Sequence, residues 1–286
     1  MIEAVVNVSE GRDAALVRTI GEAAGTTLLD VHSDEHHHRS VFTLAGGAQL
    51  VERAALELAR RAVELLDISE HAGVHPRLGV ADVVPFVAWD EEFEVAVAAR
   101  DRFAEAFGRD GVPCFLYGPE RPLPEIRRDA FIVLPPDTGP PEPHPTAGAT
   151  CVGARPVLVA YNLVVQVPLE EARKIAATLR GPQVRSLAFP LGSETQISFN
   201  LIDPLNIGPA EIYDLVARLA RIDRAELVGL IPERVLADIP RQRLAELGLS
   251  PEVTVEARLA RLARLATPGS ASPSPSASPE RGRLRS

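Results

Sequence analysis

Seven histidines stand in this sequence, and six of them fall in two short stretches: His32, His36, His37 and His38, then His71 and His75, with His144 alone in a proline-rich passage. Imidazole is the side chain whose unperturbed pKa, about 6.5, lets it give and take protons near neutrality. His75 is set apart by its surroundings, Gly73-Val74-His75-Pro76-Arg77-Leu78-Gly79-Val80-Ala81-Asp82, directly ahead of the apolar run Val83 to Trp89. Two readings of it stand side by side: a turn that ends a helix, and a proton-transfer group on a loop beside a strand. A metal site is a third reading, because His32 and His36, like His71 and His75, have the helical ligand spacing. Gly73 and Pro76 work against a helix through His71 and His75, so no metal is expected. His36, His37 and His38 read as a solvated loop. Arg39 and Arg77 are the cations placed to meet an anionic ligand.

Two further segments are polar and lie where loops are expected. Asn7-Val8-Ser9-Glu10-Gly11-Arg12-Asp13 follows the first apolar run; Asn7, Ser9 and Glu10 either line a cleft at a strand's end or, for Ser9 and Glu10, cap the next helix. Gly139-Pro140-Pro141-Glu142-Pro143-His144-Pro145-Thr146-Ala147-Gly148 is too rich in proline for a helix or central strand. It reads either as a loop that joins two units and covers a ligand between them, or as a stiff linker.

The elements that must position these residues follow from apolar periodicity. Strands are expected at Ile2 to Val8, Thr27 to Val31, Ser40 to Gly46 and Asp82 to Trp89, and helices at Ala14 to Ala24 and Leu50 to Leu66. The order is βαββαβ, a ferredoxin-like unit. A helix at Glu92 to Phe107 and a short strand at Pro113 to Tyr117 precede a passage with little regular structure. The pattern then recurs: strand Pro156 to Val167, helix Leu169 to Arg180, strands Val184 to Leu191 and Thr195 to Ile202, helix Ala210 to Ile222, strand Ala225 to Ile231. Short helices are drawn at Pro232 to Leu247 and Pro251 to Ala266. The fold class is therefore α+β, with two consecutive ferredoxin-like subdomains at 1–154 and 155–266. From Thr267 to Ser286 the chain is Ser-, Pro- and Arg-rich and is expected to be a disordered tail.

Composition narrows the function. With 286 residues, 46% of them hydrophobic, the chain can build a substantial core. Its longest apolar runs fall well short of the roughly 20 residues of a membrane helix, and its N-terminus lacks a signal-peptide pattern, so the expected location is the cytoplasm. A formal net charge of −9 argues against a nucleic-acid partner. Cys114 and Cys151 are far apart and read as small buried hydrophobes.

Several segments, taken together and in order, resemble the glutamate formimidoyltransferase family. They are Val6 to Asp13, Arg39 to Gly46, His75 to Phe86, Gly148-Ala149-Thr150 with Gly153-Ala154-Arg155, and Leu227 to Pro232. In animals that family forms the N-terminal part of a bifunctional formimidoyltransferase-cyclodeaminase. The resemblance implies two ferredoxin-like subdomains with a folate cleft between them, a homodimer, and transfer of a formimidoyl group between N-formimidoyl-L-glutamate and tetrahydrofolate, the latter as co-substrate. It places the family's catalytic histidine on His75 and the folate-contacting loop on Gly139 to Gly148. Arg39 and Arg77 are then expected to hold carboxylates. Asp82 or Glu10 is expected to orient groups of the ligand, with Asn7, Ser9 and Gly79 nearby.

The sequence also departs from the family pattern. Val74 stands where a glutamate is usual, His36-His37-His38 where the animal enzymes have Ser-Thr-Asn, prolines with Glu142, His144 and Thr146 in the folate loop, and Pro156 in place of a lysine. Two other functions fit the same residues: a formyl transferase acting on N-formylglutamate or a related one-carbon donor, and a folate-binding paralogue without catalysis.

Overall fold

A computed structural model describes residues 1–73 and 77–266. Val74, His75 and Pro76, and the tail expected beyond Thr267, lie outside the described residues.

The first sheet is assembled around β1 (Ile2–Val8), whose alternation turns Ile2, Ala4, Val6 and Val8 into the core. Its partners are β2 (Leu28–Asp34), β3 (Arg39–Gly46) and β4 (Ala81–Ala88), in the order β2-β3-β1-β4 with every pair antiparallel. Helix α1 (Ala14–Glu22) links β1 to β2, and α2 (Ala48–Leu65) links β3 to β4. The expected βαββαβ connectivity is thus present. The buried stripe of α2 is Val51, Ala54, Ala55, Leu58, Ala59 and Ala62, and its alanines let the helix settle close to the strands.

That sheet continues past β4 in a way the apolar pattern did not suggest. Helix α3 (Phe93–Arg109) leads to β5 (Cys114–Tyr117), and β6 (Thr150–Arg155) slots between β4 and β5, parallel to both. Covered on both faces, β6 is a short apolar run without alternation, the kind of strand that periodicity does not separate from a loop. Its position corrects the expectation that Gly139 to Gly148 joins two units. The chain returns to the first sheet after that loop, and the crossing to the second unit falls at residues 156–158. A short helix, α4 (Leu123–Asp129), also occupies the passage expected to lack regular structure; its proline lies in the first turn, where no backbone N–H is needed.

The second sheet repeats the pattern with β7 (Val159–Val165), α5 (Leu169–Leu179), β8 (Val184–Leu191), β9 (Glu194–Leu201), α6 (Pro209–Ala217) and β10 (Ile222–Val228). Its order is β10-β7-β9-β8, again wholly antiparallel. Tyr161, Leu163, Ile175, Ile197, Phe199, Ile212 and Val216 fill its core. Three short helical segments follow: α7 (Glu233–Leu236), α8 (Arg241–Leu244) and α9 (Val255–Ala266).

The units meet along a small apolar seam in which Leu29 and Ala45 of the first are buried with Leu230 and Val255 of the second. Arg258 of α9 reaches back to Asp30 of β2 at 3.1 Å. The turn after β10 lies against β3 as well. A Cβ at Gly229 would sit 3.3 Å from Thr43 Oγ1, and the residue has a φ of 77° that favours glycine. Both cysteines are buried, as expected, and burial pushes each thiol up to about 12. No described helix is long and apolar enough to cross a membrane.

Candidate active site

The structure draws three of the expected residues, Asn7, Arg39 and Asp82, together at a single carboxylate. Asp82, at the start of β4, is fully buried, and its two oxygens accept four hydrogen bonds from three residues beyond its own strand. Arg39 Nη1 reaches Oδ2 at 2.6 Å, and the Leu78 backbone N–H reaches Oδ1 at 2.7 Å. Arg127 on α4 grips both oxygens, at 2.7 and 2.5 Å. Arg39 is steadied from its other side, where its Nε donates to Asn7 Oδ1 at 3.1 Å. Asn7 in turn donates to the carbonyls of Val5 and Val83. Burial alone would raise the Asp82 pKa, but Arg39 and Arg127 outweigh it and hold the carboxyl well below the usual range.

Neighbouring backbone fixes residues 78–80, which lead into β4. Ser9 Oγ donates to the Gly79 carbonyl at 2.9 Å, and Ser9 N donates to Val80 O. Gly79 and Gly148 form an antiparallel bridge, with Val80 N donating to Ala147 O and Ala149 N to Leu78 O. The approach is so close that a Cβ on Gly79 would lie 2.3 Å from Ala147 O. The end of the Gly139 to Gly148 loop is therefore built into the same corner as Leu78 to Val80. Its middle differs: Pro141, Glu142, Pro143 and Pro145 are exposed. Pro140 and Thr146 are half-buried, and the Thr146 carbonyl accepts from Ile68 N. His144 shapes the turn, because its Nδ1 accepts from the N–H groups of Thr146 and Ala147. At the other end, a Cβ on Gly139 would press on the carbonyl of Val112.

Glu10 is buried and does not cap α1. Asp13 caps that helix, accepting from Ala15 N and Leu16 N, while Glu10 Oε1 accepts from Arg12 N and Asp13 N and so holds the loop ahead of it. Ser9 makes no cap either. Of the histidine cluster, His36 is exposed as expected, while His37 and His38 are less solvated than expected. His37 is buried, bonded to Asp34 through both its backbone N–H and its ring, and set edge-on to Phe189 of β8. His38 takes a positive φ of 48° at the turn, and its Nδ1 accepts from Gly11 N, which requires a neutral imidazole. Its pKa is lowered in keeping with that: burial comes first, Glu10 opposes it, and the Arg12 and Arg77 charges add to it. His71 donates from Nε2 to the His38 carbonyl, and its ring lies 4.1 Å from that of His38. The Arg77 guanidinium packs on His71. Arg77 shares its surroundings with other cations: burial lowers its pKa, Asp82 opposes this, and Arg39, Arg127 and Arg12 add to it. Among the described residues no group of three or more His, Cys, Asp or Glu side chains could hold a metal ion.

Chemically, this corner presents three arginines around one buried carboxylate. The excess of positive charge suits an anionic, carboxylate-bearing ligand. Residues 1–155 match the family model described as the formiminotransferase domain, N-terminal subdomain. The chain belongs to the formiminotransferase family. A glutamate formimidoyltransferase of Streptococcus pyogenes serotype M1 is 34% identical over 273 residues, covering 84% of this chain and 91% of the relative. Another from Thermoplasma acidophilum is 33% identical, covering 93% of this chain and 99% of the relative. The formimidoyltransferase-cyclodeaminase of Gallus gallus is 35% identical over 83% of this chain, which spans 51% of that longer protein.

Within this family member, Arg127 is the site residue that sequence reasoning did not single out. It sits in the pair Arg127-Arg128 on a seven-residue helix inside a proline-rich passage. Arg128, beside it, is largely exposed and, among the described residues, forms its ion pair with Asp129. Nothing local distinguishes the two; only the tertiary placement of α4 does.

Proposed function

We propose that this protein is a transferase that moves a formimidoyl group from N-formimidoyl-L-glutamate to tetrahydrofolate. The observation that carries the reading is the near end-to-end match to proteins named glutamate formimidoyltransferase, which includes 99% of the Thermoplasma acidophilum relative. The arginine-rich corner supports it, since both the donor and the glutamyl tail of folate carry carboxylates.

The chemistry needs a base and then an acid. An unprotonated amine of tetrahydrofolate attacks the formimidoyl carbon, a C–N bond forms, and the attacking nitrogen gives up its proton to a base. The departing glutamate nitrogen then takes a proton as its own C–N bond breaks, releasing L-glutamate. His75 is assigned both transfers in turn, which suits the titration range of imidazole. Arg39 and Arg77 hold carboxylates in this reading. Asp82 touches no ligand; with both oxygens already bonded inside the protein, it orients Arg39. Glu10, bonded to backbone N–H groups, shapes the loop carrying Asn7 and Ser9. Gly139 to Gly148 lines the folate side, its exposed prolines and Glu142 facing the ligand. In this reading the first subdomain ends with β6 at Arg155 rather than at the expected 154, the second runs from the crossing to about residue 266, and the working protein is a cytoplasmic homodimer.

The test is a His75→Ala variant assayed for folate-dependent transfer. General acid–base catalysis is typically worth about 10²–10⁴, so the rate is expected to fall by at least 100-fold. A variant within about tenfold of the parent would overturn the assignment of His75. Light scattering on the purified protein tests the dimer, for which a monomer at micromolar concentration is the contrary result.

A further inference from the structure

The cluster around Asp82 has an arrangement that the transfer reading does not by itself require. One carboxylate, fully buried, is shared by two arginines whose side chains are themselves only 12% and 18% exposed. A single arginine would neutralise it. The second leaves the trio of Arg39, Asp82 and Arg127 with one net positive charge in a place where desolvation makes charge expensive. The donors are also unevenly committed. Arg39 directs Nε to Asn7 and Nη1 to Asp82, and its remaining Nη2 has no hydrogen-bond partner among the described residues. Arg127 instead has both terminal nitrogens on Asp82 in the fork geometry that fixes a carboxylate in plane. That same carboxylate accepts the Leu78 N–H, three residues beyond His75 in the chain.

We propose that Arg127 is a positioning residue for the transfer reaction. It locks Asp82 in the orientation that aims the free donor of Arg39 at a ligand carboxylate and pins the start of the strand that follows His75. It acts through Asp82 and touches no reacting atom. Its charge also supplies the surplus that lets the trio accept an anion without leaving a buried cation or carboxylate unpaired. Arg39 and Arg127 thereby divide the work, one facing the ligand and the other holding the geometry. The inference rests on the formimidoyl transfer reading, whose failure would show in the parent protein.

The experiment compares the full-length parent with Arg127→Gln and Arg127→Lys in steady-state transfer from N-formimidoyl-L-glutamate to tetrahydrofolate, with rates expressed per folded protein from a thermal melt of each sample. Arg127→Gln is expected to lower kcat/KM by about tenfold or more, with KM for the donor raised because Arg39 turns inward to Asp82. Arg127→Lys, which restores the charge without the fork, is expected to recover part of the KM and less of the kcat. A merely structural arginine would lower the melting temperature and leave KM and kcat of the folded fraction unchanged. That outcome, or a kcat/KM within twofold of the parent, overturns the proposal. Should Arg127→Gln not fold, Arg127→Lys decides alone, and parental kinetics in it overturn the proposal. A parent without transfer overturns the functional reading and this inference with it.

Discussion

At the residue scale, burial and charge decide what each polar side chain can do. Asp82 is worth more as a holder of arginines than as a ligand contact, because it has no exposed surface and is surrounded by donors. Asp82→Ala would leave Arg39 and Arg127 facing each other in a poorly hydrated site. Breaking such a buried pair typically costs about 3–5 kcal/mol, and chemical denaturation is expected to show a loss of that order. Glu3 offers a different consequence. It is buried on β1, and burial, with Glu256 adding to it and Arg155 opposing, raises its carboxyl to about 7. A carboxyl whose folded pKa lies above its unfolded one is protonated preferentially in the fold, so stability is expected to fall as pH rises from about 4.5 to about 7. Glu3→Gln is expected to flatten that dependence, and its gain above pH 7, on the order of 3 kcal/mol, is measurable by urea titration at pH 5 and pH 8.

At the element scale, the corner is built from backbone pressed against backbone. Gly79 and Gly148 each lie within 2.4 Å of a facing carbonyl once a Cβ is added, so neither tolerates a side chain without the loop moving. Gly79→Ala is expected to destabilise the protein by more than about 1 kcal/mol and to lower transfer more than stability alone explains, as measured by melting and by rate per folded molecule. What could be read from the sequence divides along similar lines. The eight strands of the two βαββαβ patterns were legible because they alternate or sit between helical stripes, as in β1 and β9. The strand β6 was not, because a run such as Thr150-Cys151-Val152-Gly153 carries no period when both faces are covered. The prolines of 122–145 obscured α4, and with it Arg127. The solvated reading of His37 and His38 failed for a related reason: their burial comes from Phe189 and Gly11, far apart in the chain. Asn7, Arg39 and Arg77 stood out by residue type and loop position, while Asp82 was singled out only through the motif resemblance.

At the scale of the whole molecule, two βαββαβ units share a joint that is small and apolar with an ion pair at its edge. Leu230 and Val255 belong to the second unit but are buried against Leu29 and Ala45 of the first. Leu230→Ala is expected to cost about 2–5 kcal/mol and, because the seam joins the units, to raise hydrogen exchange in β2 and α9 together. Exchange raised only in α9 would mean that the seam does not couple them. The central claim is that this assembly transfers a formimidoyl group through His75. Its most direct test is a paired assay with tetrahydrofolate, one arm supplied with N-formimidoyl-L-glutamate and the other with N-formyl-L-glutamate, run on the parent and on His75→Ala. The expected result is turnover in the formimidoyl arm alone, lost by at least 100-fold in the variant; turnover of the formyl donor alone, or of neither donor, would contradict it.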